Sequence, residues 1–150
     1  MTVTAVYEEI ISEDYNIKFL LTQNGPAKAG ETLVLTLDVT SKSTAEVDGF
    51  VLYRLEYDKA KLEFLGFSDY GELVLNDATK GQGINSSTGI INVSYEESTV
   101  VNGKICNLKF RVKDNVAVGT ELTISMSASA SKNRQPLSKI ITPSCTMNIE

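Results

Sequence analysis

The class of fold is decided by one segment, Leu33-Val34-Leu35-Thr36-Leu37-Asp38-Val39-Thr40. Apolar side chains occupy every second position of this segment, and mostly polar ones lie between them. Successive side chains of a β-strand point to opposite faces of a sheet, so the alternation predicts a strand with one buried face. The segment therefore indicates a sheet that covers a hydrophobic core.

The rest of the chain is rich in β-branched and aromatic residues, which favour strands. Further strands are predicted at Ile17–Leu21, Phe50–Tyr57, Ile90–Tyr95, Lys104–Val112, Leu122–Ala130 and Ser144–Ile149. Glycine-containing turn signals separate these segments, and a single helical turn is predicted in Asp58–Leu65. Strands and turns at such regular spacing predict an all-β sandwich or barrel.

Size and charge narrow the class of function. The chain has 150 residues and a formal charge of -5, which fits one acidic domain. We assign this domain to residues 16–150 and interpret residues 1–15 as a linker remnant or an expression start. An acidic surface disfavours nucleic acid and anionic lipid, and no run of about 18 apolar residues is present to insert into a membrane.

The sequence argues against catalysis. Histidine, the commonest general base and a common zinc ligand, is absent. Acid pairs at Glu8-Glu9, Glu13-Asp14 and Glu96-Glu97 are interpreted as solvated surface, because neighbouring acids on a strand point to opposite faces. The oxygen ligands nearest to a calcium loop are Asp69, Asn76 and Asp77, but the Asp-x-Asp-x-Asp-Gly pattern is missing. We therefore predict no enzyme and no bound metal.

Two further motifs have plain structural interpretations. Cys106 and Cys145 each lie in register with apolar neighbours, which predicts free buried thiols, although a disulfide between them stays open. The segment Gly81-Gln82-Gly83 is too short for a phosphate loop and predicts a turn or loose loop.

The strand Phe50–Tyr57 suggests a surface for a partner. Its alternation places four side chains towards the core: Val51, Tyr53, Leu55 and Tyr57. The pleat then turns Phe50 and Leu52 outward, where exposed apolar side chains indicate docking. Two alternatives stay open: a loop or strand covers these residues, or a bulge at Asp48-Gly49 reverses the face.

Three stretches of the chain resemble cohesin modules. Residues 48–64, with the ending Tyr57-Asp58-x-x-x-Leu62-Glu63, are similar to the third strand of the family. Residues 27–35 resemble the lead into the second strand, and residues 102–113, with Phe110-x-Val112-Lys113, resemble the eighth. Val118-Gly119-Thr120 fits as well, so the likeness extends over roughly residues 16–150 in order.

This resemblance implies a nine-stranded jelly-roll β-sandwich that acts as a non-catalytic adaptor. Cohesins are carried by extracellular or cell-surface scaffoldins of anaerobic, polysaccharide-degrading bacteria, and each binds a dockerin of an enzyme or another scaffoldin. The family implies no cofactor on this chain, calcium on the dockerin, and a monomer when free. The family's docking sheet comprises the third, fifth, sixth and eighth strands, and carrying it over selects twelve residues: Phe50, Leu52, Arg54, Glu56, Asn85, Ser87, Asn92, Ser94, Glu97, Ile105, Asn107 and Lys109.

Two rival functions share the sandwich architecture. A carbohydrate-binding module stacks exposed aromatic rings, especially Trp, on sugar faces, whereas this chain has no Trp and 7% aromatic residues. A purely structural domain would have outward faces of Thr, Lys and Glu. The sequence favours the adaptor.

Overall fold

The computed structural model describes residues 15–42, 45–75, 81–133 and 135–150, and strands dominate it. One helical turn, α1, is formed by Glu72–Leu75. The strands are β1 (Ile17–Asn24), β2 (Thr32–Ser41), β3 (Val47–Glu56), β4 (Leu62–Ser68), β5 (Gly81–Asn85), β6 (Ile90–Thr99), β7 (Asn102–Val112), β8 (Glu121–Lys132), β9 (Gln135–Pro136), β10 (Ile140–Ile141) and β11 (Ser144–Asn148).

The strands form two sheets with the core between them. Sheet I has the order β10-β1-β2-β7-β4, and sheet II has the order β11-β8-β3-β6-β5, with β9 attached to β8. The neighbours in both sheets are antiparallel except for β1 and β10. Nine strands have five residues or more and two have only two, so the architecture agrees with the predicted nine-stranded jelly-roll sandwich.

The alternation that predicts β2 is confirmed. Leu33, Leu35, Leu37 and Val39 are at most 1% exposed. Aromatic side chains join the two sheets across the core: the rings of Phe19 in β1 and Phe50 in β3 lie 5.6 Å apart. Such tilted contacts add to the burial of apolar area that holds the sheets together.

Strand β3 differs from its prediction, because it changes face partway along. Phe50 and Leu52 are 3% and 0% exposed, so the expectation that they point outward is wrong. Tyr53 pairs with Ser127 and Glu56 with Ser125, which leaves two residues of β3 opposite one residue of β8. This β-bulge contains Arg54 at φ 52°, and one inserted residue exchanges the inner and outer faces of a strand.

The bulge explains why only half of the predicted inward set is correct. After Arg54, Leu55 and Tyr57 pack against the core, as predicted. Before it, Val51 and Tyr53 lie on the outer face of sheet II and are half-buried.

Two local predictions are revised by the backbone, and a third lies outside the described residues. Residues 81–83 belong to the edge strand β5 and pair with β6, so they are not a loop. The predicted helical turn after β3 is a tight turn, in which the Asp58 carbonyl accepts the N–H groups of Lys61 and Leu62 at 3.0 and 2.9 Å. Of the predicted linker remnant, residues 1–15, the first fourteen lie outside the described residues.

The changed face of β3 gives a direct stability test. Leu52→Ala removes a fully buried side chain and should lower the free energy of unfolding by about 2–5 kcal/mol. Val51→Ala, its neighbour on the outer face, should cost under about 1 kcal/mol. Urea denaturation followed by fluorescence or circular dichroism measures both changes. A larger loss for Val51→Ala than for Leu52→Ala would show that the strand keeps the opposite face inward.

Candidate partner-binding face

The outer face of sheet II, called the serine face below, consists of the outward side chains of β8, β3 and β6. Cross-strand register places them in rows. Ser129, Val51 and Asn92 form one row, and Ser131, Gly49 and Ser94 form the next. Opposite residues in a sheet direct their side chains to the same side, so each row presents a continuous strip to solvent. The result is a flat, polar surface with Val51 and Tyr53 in its middle strand.

The sequence of β8 determines the character of the serine face. Leu122, Ile124, Met126 and Ala130 point inward and are buried. Serines occupy the alternate positions, and Ser125, Ser127, Ser129 and Ser131 are half-buried on the outer side. Because serine is small, the outward side chains of β8 extend less far from the sheet than larger side chains on the neighbouring strand β3.

Tyr53 is the aromatic side chain of β3 on the serine face. It is half-buried and lies opposite Ser127. The guanidinium of Arg54 lies 5.8 Å from the centre of the ring, within reach of a cation–π contact. Arg54 itself is exposed, because the bulge turns it away from the sheet. The pair therefore brings an aromatic ring and a cation together on β3.

Four polar side chains of the serine face make no hydrogen bond of their own within the described residues, whereas Thr123 bonds to Thr146 and Ser98 donates to Asp48. The hydroxyls of Ser94, Ser127 and Ser129 and the amide of Asn92 make no side-chain hydrogen bond there. The outer face of sheet I differs, since Thr36 donates to Asn107 at 3.1 Å and Asn107 donates to Asp69 at 3.3 Å. Unengaged donors and acceptors on a rigid sheet are suited to contact with another molecule.

Seven of the predicted partner-binding residues lie at or near the serine face. Asn92 and Ser94 occupy its rows, and Arg54, Glu56 and Glu97 are exposed on β3 and β6. Asn85 and Ser87 lie at the turn between β5 and β6, where the Asn85 side-chain oxygen accepts the N–H groups of Ser87 and Thr88 at 2.9 and 3.3 Å. Asn85 therefore has a structural role in this turn, and the involvement of these residues in binding stays a prediction.

The other five predicted residues do not reach this face. Phe50 and Leu52 are buried in the core because of the bulge. Ile105, Asn107 and Lys109 belong to β7, which lies in sheet I, on the other side of the sandwich. The chain changes sheet after β6, so the two neighbours of β3 are β6 and β8. The prediction that residues 102–113 correspond to the family's eighth strand, in the same sheet as β3, is therefore wrong.

The side chains of β7 lie in the core or on sheet I and contribute no surface to sheet II. Ile105 is fully buried, and its carbonyl accepts the N–H of Gly71 at 2.9 Å beside α1. Asn107 is engaged in the hydrogen bonds across sheet I described above. Lys109 is exposed on the outer face of sheet I. The outward residues that sequence reasoning missed are Val51, Tyr53, Ser127 and Ser129, and the alternation of serine along β8 is the signal that points to them.

The described residues contain no group of three or more side chains that could hold a metal ion. Asp69, a calcium candidate, is exposed and lies 3.7 Å from the Lys104 ammonium. Asn76 and Asp77, and the acid pairs at residues 8–9 and 13–14, lie outside the described part. No helix in that part is long and apolar enough to cross a membrane.

Both cysteines are free, which answers the question that the sequence left open. Cys106 is fully buried in β7 opposite Leu37. Burial raises the pKa of its thiol to about 12, and the nearby Lys104 charge lowers it by less. Cys145 in β11 is half-buried, and burial also raises its pKa.

A flat, largely uncharged face on a rigid sandwich defines a class of protein, a module that docks another protein. The comparisons with known proteins agree, because the family model described as "Cohesin domain" matches residues 10–149. The chain belongs to the cohesin domain family. This family is a non-catalytic protein–protein interaction module. No curated protein sequence matches the chain.

Solved structures share the fold at low sequence identity. The third cohesin of ScaC from Acetivibrio cellulolyticus, solved with the ScaB dockerin, is 15% identical, has a TM-score of 0.66 and aligns over 89% of this chain and 98% of that one. The sixth cohesin of scaffoldin B from the same organism, solved with a Cel5 dockerin mutant, is 20% identical, with a TM-score of 0.65 and coverage of 90% and 99%. A type III cohesin from the cell-surface anchoring scaffoldin ScaE of Ruminococcus flavefaciens is 10% identical, with a TM-score of 0.59 and coverage of 95% and 92%.

The two thiols should react at different rates in the folded protein. At pH 8 a thiol with a pKa of about 12 is ionised in roughly one molecule in ten thousand, and Cys106 is also inaccessible. Iodoacetamide should therefore label Cys145 first, and Cys106 only after denaturation. Mass spectrometry of tryptic peptides separates the two sites. Equal labelling under native conditions would contradict the burial of Cys106.

Proposed function

We propose that this chain is an adaptor that binds a dockerin through the serine face. The observation that carries the proposal is the contrast between two groups of outward side chains: Asn92, Ser94, Ser127 and Ser129 on sheet II make no side-chain hydrogen bond within the described residues, whereas Thr36, Asn107 and Asp69 satisfy one another on sheet I. Membership of the cohesin family supports the choice of partner. Relatives solved with dockerins support it further at the level of the fold.

The shape of the serine face suits a helix laid across a sheet. Protein interfaces combine an apolar or aromatic centre with a polar surround that excludes water. Here Tyr53 and Val51 provide the centre, and Asn92, Ser94 and Ser129 provide groups that both donate and accept. Because the outward positions of these rows are uncharged, affinity depends on shape and hydrogen bonds more than on ion pairs. Arg54, Glu56 and Glu97 lie at the margins, where charges set orientation more than strength.

The proposal assigns calcium to the partner. We expect the dockerin to require calcium for its own fold and this chain to require none. We further propose that the module comprises residues 16–150 and acts outside the cell as part of a scaffoldin of an anaerobic bacterium. One relative belongs to a cell-surface anchoring scaffoldin, which supports this location.

Titration calorimetry tests the proposal. We expect the chain to bind at least one member of a dockerin panel that begins with the ScaB and Cel5 dockerins of Acetivibrio cellulolyticus. Binding should disappear with EDTA, while the melting temperature of this chain alone stays unchanged. Soluble cellulose and xylan serve as controls, because binding to polysaccharide alone would overturn the proposal in favour of a carbohydrate-binding module.

A matched pair of variants locates the binding face. Tyr53→Ala removes the aromatic centre of the serine face and should weaken dockerin binding about ten-fold or more, since aromatic anchors dominate most interfaces. Lys109→Ala changes an exposed side chain on the opposite face and should alter affinity less than two-fold. Circular dichroism melts check that both variants fold. If Lys109→Ala weakens binding more than Tyr53→Ala, the partner binds to sheet I and the assignment of the face is wrong.

A further inference from the structure

One end of the serine face contains a groove of about 680 Å³. Its floor follows the row Ser131, Gly49 and Ser94, in which no side chain exceeds serine in size. A Cβ at position 49 would lie 2.5 Å from the Val93 carbonyl oxygen, so glycine is needed for the two strands to approach. The groove is therefore built into the sheet and is large enough to hold a side chain of another protein.

A short hairpin closes this end of the groove. β9 pairs with the last residues of β8, with Pro136 opposite Ser131 and Gln135 opposite Lys132. Asn133 and Pro136 line the groove from this hairpin, and Ser98 lines it from β6. Asn133 adopts φ 52°, the left-handed conformation that asparagine tolerates in tight turns. The hairpin continues the row of the floor and forms its end wall.

Asp48 joins the parts that surround the groove. One oxygen of its carboxylate accepts the hydroxyl of Ser98, and the other accepts the backbone N–H of Asn133. The side chain thus connects β3, β6 and the β8–β9 hairpin by charge-assisted hydrogen bonds, which are stronger than neutral ones. A second contact to the hairpin, between Lys132 and Glu46 at 3.3 Å, is roughly 40% exposed on both sides and contributes little.

We propose that Asp48 is a positioning residue for partner binding: it fixes the β8–β9 hairpin as the end wall of a groove that receives one uncharged, hydrogen-bonding side chain of the dockerin. This inference rests on the proposed function. The chemistry follows from the lining. Asn92, Ser94 and Ser129 make no side-chain hydrogen bonds within the described residues, and Val51 and Pro136 supply apolar contact for a stem.

The carboxylate of Asp48 already accepts hydrogen bonds from the hairpin and from Ser98. The groove should therefore select a partner side chain by its hydrogen bonds and shape more than by its charge. A hydroxyl or amide side chain matches groups that both donate and accept. Among the described lining residues Asp48 is the one charged group, and its carboxylate already accepts from Ser98 and Asn133, so a charged group of the partner would be desolvated mainly against hydroxyls and amides. The position of the wall then decides how long a side chain can enter, and this makes the hairpin a determinant of specificity.

A double-mutant cycle between Asp48 and Pro136 tests the proposal. Asp48→Asn keeps the size of the side chain and can still accept from Ser98, but the amide nitrogen cannot accept the N–H of Asn133. We expect Asp48→Asn to weaken dockerin binding about ten-fold and Pro136→Ala about three-fold. In the Asp48→Asn background, Pro136→Ala should have no further effect, because the wall has already moved. Tyr53→Ala, at a distance from the hairpin, should add its full effect in both backgrounds.

Hydrogen exchange provides a readout on the free module. The Asn133 amide should exchange at least ten-fold faster in Asp48→Asn. The control Glu46→Gln, which removes the ion pair with Lys132, should leave this exchange rate unchanged. Unchanged exchange in Asp48→Asn would overturn the positioning role. Independent, additive effects of Asp48→Asn and Pro136→Ala on binding would overturn it as well.

Ionic strength tests the chemistry of the occupant. The coupling between Asp48 and Pro136 should be the same within two-fold at 50 and 500 mM NaCl, because salt screens charges and leaves uncharged contacts largely unaffected. A coupling that disappears at high salt would show that a charged side chain enters the groove and would overturn the assignment. Failure of the unmodified chain to bind any dockerin would instead refute the proposed function, and the exchange experiment would still decide the role of Asp48.

Discussion

The surface proposed to bind a partner depends on one residue in a left-handed conformation, Arg54. A non-glycine residue in that conformation costs about 1–2 kcal/mol. The cost is offset because the bulge allows Phe50 and Leu52 to be buried on one side of it and Leu55 and Tyr57 on the other. Each fully buried apolar side chain contributes about 1.5–3 kcal/mol, so Phe50 and Leu52 alone outweigh the strain, and the partial burial of Leu55 and Tyr57 adds to this. The same change of face brings Val51 and Tyr53 to the outer surface.

The sandwich and its strands could be predicted from the sequence, because period-two alternation is a local property. β2 and β8 show it clearly, with leucine or small apolar residues facing inward at every second position. Membership of the family could also be predicted, since the resembling stretches follow one another in the right order. Which strand pairs with β3 is a non-local property, and the alternation of β7 is as regular as that of β8. Asn107 and Lys109 were therefore placed on the wrong sheet.

The face of β3 could not be predicted for a different reason. The first four residues of Phe50–Tyr57 are all apolar or aromatic, so a single period fits either face over this half of the strand. The alternation is regular on each side of the bulge, but the inward positions differ between the two sides. The charged residue Arg54, at the bulge itself, is the local sign of this change. The serine alternation in β8 provides better information about the surface, because serine occupies the four successive outward positions from Ser125 to Ser131 and marks that side as solvated. Surface character was thus easier to infer from the neighbouring strand than from β3 itself.

The two outer faces of the sandwich have different proposed roles, one structural and one in binding. On sheet I, three outward polar side chains are engaged with one another, in the contacts that link Thr36, Asn107 and Asp69. Sheet II keeps Asn92, Ser94 and Ser129 unengaged and holds its groove with Asp48 at one end. Contacts that are satisfied internally stabilise the domain, whereas rigid and unengaged groups can bind without a large cost in ordering.

The most direct test of this account is mapping of amide chemical shifts on the labelled module during titration with a dockerin that binds it in calcium. The account predicts that the largest shifts cluster at Val51, Tyr53, Asn92 and Ser129 on sheet II, and extend to Asn133. A cluster at Thr36, Asn107 and Lys109 would contradict it, because the partner would then bind to sheet I.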